Sequence, residues 1–169
     1  MANNTNTFSE TEINQNGLKV LNQIISGKEN IYESIINYQL FEDAVQGDAD
    51  AQFFLGLQYA SGDCVEKNEV EAAKWYRKAA EQGHPKAQLM LGYCFRDGEG
   101  VKKNYQVSAR WIRKAAKQND PDAQKELGIC YEFGNGVYTD RKKAIEWYRK
   151  AAKQGNKFAK DALERLEDD

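Results

Sequence analysis

His84 is the only histidine in the chain, which excludes a His–His metal pair and a relay that needs a second imidazole. The other residues with chemical potential are few. Cys64, Cys94 and Cys130 match no zinc-ligand spacing. Asp48 and Asp50 are spaced like the start of a calcium loop, but the remaining ligands at EF-hand spacing are missing. No phosphate loop, Gly-x-Ser-x-Gly elbow or His-Glu-x-x-His helix is present. Gly98-Glu99-Gly100 and Gly134-Asn135-Gly136 read as turns that need no phosphate to explain them. Arg77–Lys78, Arg113–Lys114 and Arg149–Lys150 are phosphate-binding types. Each pair, however, falls near an expected helix C-terminus, where cations suit the dipole. The expectation is a chain without catalytic residues, cofactor or metal.

The positions of these residues follow an internal repeat. AQFFLGLQYASG at residue 51 recurs as AQLMLGYCFRDG at 87 and AQKELGICYEFG at 123, each 36 residues on. AAKWYRKAAEQG from 72 returns as SARWIRKAAKQN from 108 and AIEWYRKAAKQG from 144. Twelve columns are identical in all three copies, among them those of Ala51, Leu55, Gly56, Gly62, Val65, Trp75, Ala79 and Ala80. His84 shares its column with Asp120 and Asn156, which predicts helix capping rather than catalysis. Cys94 and Cys130 are also equivalent, and stacked helices would hold their Cα atoms roughly 8–10 Å apart, beyond disulfide reach. Reduced thiols acting as small packing residues are expected.

Each copy reads as helix, turn, helix. The first helix begins near Ala51, Ala87 or Ala123 and stops at Gly62, Gly98 or Gly134, residues suited to a left-handed terminus. The second starts after Asn68, Asn104 or Asp140, all good N-caps, and ends at Gly83, Asn119 or Gly155. Pro85 and Pro121 stand where a missing amide hydrogen is tolerated. The second helix carries two apolar stripes, Ala72–Trp75–Ala79 and Ala73–Tyr76–Ala80, whereas a helix at the surface of a globule needs one. Two stripes fit a helix that packs on its own partner and on the following repeat, so the predicted fold is an all-α solenoid.

Apolar residues make up 41% and charged residues 30%, with two prolines, an ordinary soluble and helix-favouring mixture. The net charge of −2 hides an uneven distribution. Residues 1–63 carry two basic and nine acidic side chains, residues 64–160 twenty-one and twelve, and the last nine residues five acids against Arg165. Two readings stay open: the basic middle attracts an acidic partner, or the acidic ends shield it in cis. The N-terminal stretch lacks a basic n-region and an apolar h-region, and no run approaches a bilayer span, so a cytoplasmic location off the membrane is expected.

The pattern A-Q-x-x-L-G-x-x-Y-x-x-G, then G-V, then A-x-x-W-Y-R-K-A-A-x-Q-G, resembles the Sel-one-like repeat, a branch of the tetratricopeptide-type solenoids. Three full copies cover 51–86, 87–122 and 123–158. Residues 18–50 read as a degenerate earlier repeat. Its second helix is placed over 31–50 because Ala44, Gly47 and Ala51 precede Ala80, Gly83 and Ala87 by 36 residues, although Gln39 replaces the tryptophan. Its first helix is expected in LKVLNQIIS at 18–26. Residues 1–17 read as a flexible segment. Residues 159–169, with Ala159, Ala162, Leu163 and Leu166 on one face, read as a capping helix.

The resemblance implies an interaction module, in a family of adaptors and scaffolds that are often bacterial, with first helices lining a concave groove. The variable columns there are Phe53, Leu57 and Ala60; Leu89, Tyr93 and Arg96; and Lys125, Ile129 and Glu132. This apolar strip with charges toward one end suits a protein or peptide partner. Covering of Phe53 and Leu57 by the N-terminal repeat is the alternative for those two. An immunity protein that neutralises a toxin made by the same cell is a more specific version of the same role. An enzyme and a nucleic-acid binder are the rivals; the even mixing of Lys and Glu, without aromatic–basic interleaving, speaks against the latter.

Overall fold

The computed structural model describes residues 31–167. They form α1 Ile31–Gln46, α2 Ala49–Ser61, α3 Glu69–Glu81, α4 Pro85–Asp97, α5 Tyr105–Lys117, α6 Pro121–Phe133, α7 Arg141–Lys153 and α8 Lys157–Glu167. No strand occurs among the described residues. Packing runs serially, each helix lying against its chain neighbours, as in an α-solenoid. The expected helix at 18–26 and the segment 1–17 lie outside the described residues. No helix described is long and apolar enough to cross a membrane.

Capping sets the helix starts. Asp48 Oδ1, His84 Nδ1 and Asp120 Oδ1 accept the amides of Ala51, Ala87 and Ala123 at 2.7, 3.0 and 2.8 Å. The first helices therefore begin at Ala49, Pro85 and Pro121, two residues ahead of the alanines that open the sequence motif. Asn68, Asn104 and Asp140 cap the second helices, and their own amides donate back to Tyr59, Phe95 and Tyr131 carbonyls at 2.8, 2.7 and 2.8 Å. That bond closes the turn within each repeat.

Two contacts explain why the helices come so close. A Cβ on Gly56, Gly92 or Gly128 would stand 2.6, 2.7 or 2.6 Å from the side chain of Tyr76, Ile112 or Tyr148. A Cβ on Gly100 or Gly136, both at positive φ, would stand 1.9 or 2.0 Å from the carbonyl oxygen of Glu69 or Tyr105. The turn of one repeat thus rests on the second helix of the repeat before it.

A glutamine clasp joins the repeats. Gln52, Gln88 and Gln124 are almost fully buried and donate to the Ala44, Ala80 and Ala116 carbonyls at 3.0, 3.1 and 3.4 Å. Gln82, Gln118 and Gln154 donate to the oxygens of those three side chains at 2.8, 2.9 and 2.9 Å. They also donate to the Gly47, Gly83 and Asn119 carbonyls that end the preceding helix. Orphan carbonyls at each helix end are satisfied by the next repeat.

The apolar clusters straddle the same joints. Both stripes of α3 are buried, and Trp75 meets Phe41 of α1 edge-on at 6.4 Å. Gln39, in the tryptophan column, is exposed and bonds Asp43. At the far end Ala159, Ala162 and Leu166 of α8 are buried against Ala144, Tyr148 and Ala151 of α7. Cys94 and Cys130 are buried packing residues, and all three cysteines are free.

Candidate functional site: the exposed face of the first helices

Residues three, four and seven apart share one helix face. On α2 that face is Phe54, Leu57 and Ser61, on α4 Met90, Tyr93 and Asp97, and on α6 Ile129 and Phe133, with Glu126 of the same columns buried. Phe54 and Phe133 are 53% and 61% exposed, and Met90 is half-buried. These three were missed in the sequence because their columns, Phe54/Met90/Glu126 and Ser61/Asp97/Phe133, mix apolar with polar residues and show no stripe.

The expected groove residues divide into three groups. Phe53 and Leu89, each 7% exposed, are core. The Phe53 ring stacks on His84 at 4.7 Å and lies 6.1 Å from Tyr76, so the elements that follow it contribute to its cover. Leu89 packs with Ala109, Ile112 and Ala116 of α5. Leu57, Ala60, Tyr93 and Ile129 are half-buried against the joints and keep part of their surface outward. Arg96, Lys125 and Glu132 are charged groups engaged with other side chains.

Arg96 lies over the Tyr93 ring, 4.5 Å from its centroid. It pairs with Asp97 at 2.8 Å and with Glu126 at 3.4 Å. Lys125 reaches Glu126 at 2.8 Å, and the Tyr93 hydroxyl lies near the same carboxylate. Glu126, 8% exposed, is therefore the hub of the central network. Burial, followed by the nearby Glu126 charge, holds the Tyr93 hydroxyl well above the ordinary tyrosine range. The hydrogen bond from Arg96 holds the Asp97 carboxyl below its ordinary range. Arg96, Glu126 and Ile129 line one cleft of about 260 Å³ with Tyr105, Ser108 and Asn135. Glu132 belongs elsewhere: it accepts Tyr148 at 2.7 Å and Arg165 at 2.5 Å, tying α8 to the stack.

The chemical candidates have structural occupations. His84 caps α4 through Nδ1 and faces Asp50 through Nε2 at 3.1 Å, while Asp48 caps α2. Lys78, Lys114 and Lys150 sit over Trp75, Trp111 and Trp147 at 4.1, 4.0 and 4.0 Å. Arg77 and Arg113 lie 5.4 and 5.9 Å from the Phe95 and Tyr131 ring centroids. The three lysines therefore cover the tryptophan of their own helix, while Arg77 and Arg113 cover an aromatic ring of the following repeat.

Serially stacked helix pairs, each burying its second stripe only on a neighbour, define an α-solenoid of helix-turn-helix repeats. The Sel1 repeat family model matches residues 49–84, 85–120 and 121–156, and the chain belongs to the Sel1 repeat family. A crystal structure of a Sel1 repeat protein from Oxalobacter formigenes is 46% identical, with a TM-score of 0.70 over 75% of this chain and 96% of that one. A protective antigen of uropathogenic Escherichia coli strains, displaying an SLR fold, is 41% identical with a TM-score of 0.69. That match covers 71% of this chain but 26% of the antigen. The cysteine-rich protein B of Helicobacter pylori is 25% identical, with a TM-score of 0.60 over 76% of this chain and 97% of that one. No curated protein sequence compared with the chain matches it. Sel1 repeat proteins are generally protein-interaction modules and typically non-catalytic scaffolds.

Proposed function

We propose that this chain is a non-catalytic module that holds a protein or peptide on the exposed face of α2, α4 and α6. The observation that carries the reading is the run of outward apolar side chains, Phe54, Leu57, Met90, Tyr93, Ile129 and Phe133, across three stacked helices. Phe54 and Phe133 stand more than half exposed, and repeat packing does not account for them. Their equivalents in other copies include Glu126, Ser61 and Asp97, so the fold accepts polar residues in those columns. A surface of aromatic and aliphatic anchors around a satisfied polar network suits a peptide segment or a partner helix.

The test is affinity capture with the wild-type chain, followed by binding measurements on the captured partner. Phe54→Glu combined with Ile129→Glu should weaken binding at least tenfold while leaving the helical circular dichroism unchanged. Lys74→Ala, on the second-helix face, should leave affinity within about twofold. The opposite ranking would move the working surface to the second helices.

A further inference from the structure

A second cleft, of about 570 Å³, opens where α5, α6 and the α6–α7 turn meet. It is distinct from the exposed first-helix face in both residues and position. Its lining departs from the equivalent joint one repeat earlier in six columns: Tyr138, Thr139 and Asp140 stand where that joint has Lys102, Lys103 and Asn104, and in three further columns a polar residue replaces an apolar one, Gln106 for Val70, Tyr131 for Phe95 and Lys143 for Val107. The fold takes an apolar residue in each of these last three columns, so repeat packing does not require Gln106, the Tyr131 hydroxyl or Lys143.

Arg113 lines the same cleft. Its Nη2 donates to the Tyr131 hydroxyl at 3.1 Å, a bond that Phe95 cannot offer Arg77 at the earlier joint. Its Nε is buried and has no partner among the described residues. An unsatisfied buried donor is unfavourable, more so when it belongs to a charged group, and the arrangement is short of one acceptor. Lys143 Nζ stands 5.4 Å from the Tyr131 ring centroid and 2.6 Å from Asp140. Among the charged side chains of the lining, Arg113 and Lys143 are positive and Asp140 negative, which leaves one positive charge. That balance suits a singly charged carboxylate better than a phosphate, which carries about −1.5 to −2. At the lip, Tyr138 is 96% exposed and offers a flat apolar surface to whatever adjoins the charged group.

We propose that this cleft binds a carboxylate of an acidic peptide segment. Arg113 supplies the planar donors, held in orientation by the Tyr131 hydroxyl, and Lys143 supplies the second positive charge. The cleft works as a site of its own, whether or not the first-helix face binds a partner.

The experiment is a nuclear magnetic resonance titration of the 15N-labelled chain with acetate, a capped triglutamate peptide and inorganic phosphate. The Arg113 Nε–H signal and the Val137 and Tyr138 amides should shift saturably, with triglutamate tighter than acetate and phosphate weakest. The equivalent signals of Arg77, Val101 and Lys102 should stay still. Gln106→Val with Tyr131→Phe and Lys143→Val gives three lining positions the apolar residues this chain already carries there at the earlier joint, and should weaken triglutamate binding at least tenfold. The single change Lys143→Val, at an exposed position, should weaken it at least threefold. Equal shifts at both joints, unchanged affinity in either variant, or phosphate binding more tightly than the carboxylates would each overturn the proposal.

Discussion

A Cβ placed on Gly92 would stand 2.7 Å from Cγ1 of Ile112, a separation that carbon atoms do not tolerate. Ile112 is 1% exposed and hemmed by Ala109, Ala115 and Ala116, so it has little room to retreat. Gly92→Leu should therefore push α4 away from α5 and lower stability by about 1–3 kcal/mol. Because each repeat is supported by its neighbours, hydrogen exchange should quicken in α3 and α6 as well as at the altered joint. Urea unfolding with an unchanged midpoint would show that the two helices are not in tight contact there.

Much of this was legible in the sequence because the repeat tests each reading three times. Gly56, Gly92 and Gly128 share a column, and in each copy the glycine faces a large side chain of the second helix. Capping by His84 followed from its sharing a column with Asp120 and Asn156. Other features were hidden for identifiable reasons. The glutamine clasp was visible as two unchanging columns, but its bonds join residues 30 and 35 apart across a joint, which no local pattern reveals. Phe53 and Leu89 look like groove residues on a helical wheel. The rise to the next repeat turns them into the seam, and Phe54 and Met90, one position on, into the surface. Charge pairing was hidden too, since Arg96 and Glu126 meet only after stacking.

The cysteines should separate by environment. Cys64 is exposed, whereas Cys94 and Cys130 are buried. A disulfide-exchange reagent at pH 8 should modify one thiol quickly in the native chain and three under denaturing, non-reducing conditions. Burial first, and then the nearby Glu99 or Glu126, pushes the Cys94 and Cys130 thiols from 9.0 up to about 11. Above pH 9 the unfolded chain releases protons that the folded chain retains, so stability falls as pH rises from about 9 to about 11. Below pH 9 these groups contribute no pH dependence. A Cys94→Ala, Cys130→Ala variant should lose less stability across that window than the parent. Parallel curves would contradict the assignment.

His84 acts through a lone pair. Nδ1 accepts the Ala87 amide, which leaves the proton of the neutral ring on Nε2, facing Asp50. Asn156 does the same work before α8, accepting Ala159 at 3.0 Å. His84→Asn should consequently be about 1 kcal/mol more stable than His84→Ala, the ordinary worth of an N-cap acceptor. Thermal unfolding of the two variants side by side decides this, and equal midpoints would show that ring stacking on Phe53, not capping, is what matters.

Tyr93 joins the two roles of the first-helix face, so its substitutions must be read as a pair. The hydroxyl lies near buried Glu126, whose partners Arg96 and Lys125 remain when that hydroxyl is lost. Tyr93→Phe should cost stability at most about 0.5–1.5 kcal/mol, the scale of one hydrogen bond. It should leave partner affinity almost unchanged, because the ring and the overlying guanidinium persist. Tyr93→Ala removes the ring that supports Arg96 at 4.5 Å, and with it a central apolar anchor. Affinity should then fall by about 2 kcal/mol or more, the scale of an interface hot spot. Lys150 is unsuitable as a control because it covers Trp147 at 4.0 Å, whereas exposed Lys74 pairs with half-buried Glu71 and should report near-zero change. Titration calorimetry of the captured partner against Tyr93→Phe, Tyr93→Ala and Lys74→Ala separates the possibilities. Equal losses for the phenylalanine and alanine variants would assign the binding energy to the hydroxyl–Glu126 network. Loss confined to Lys74→Ala would place the partner on the opposite face.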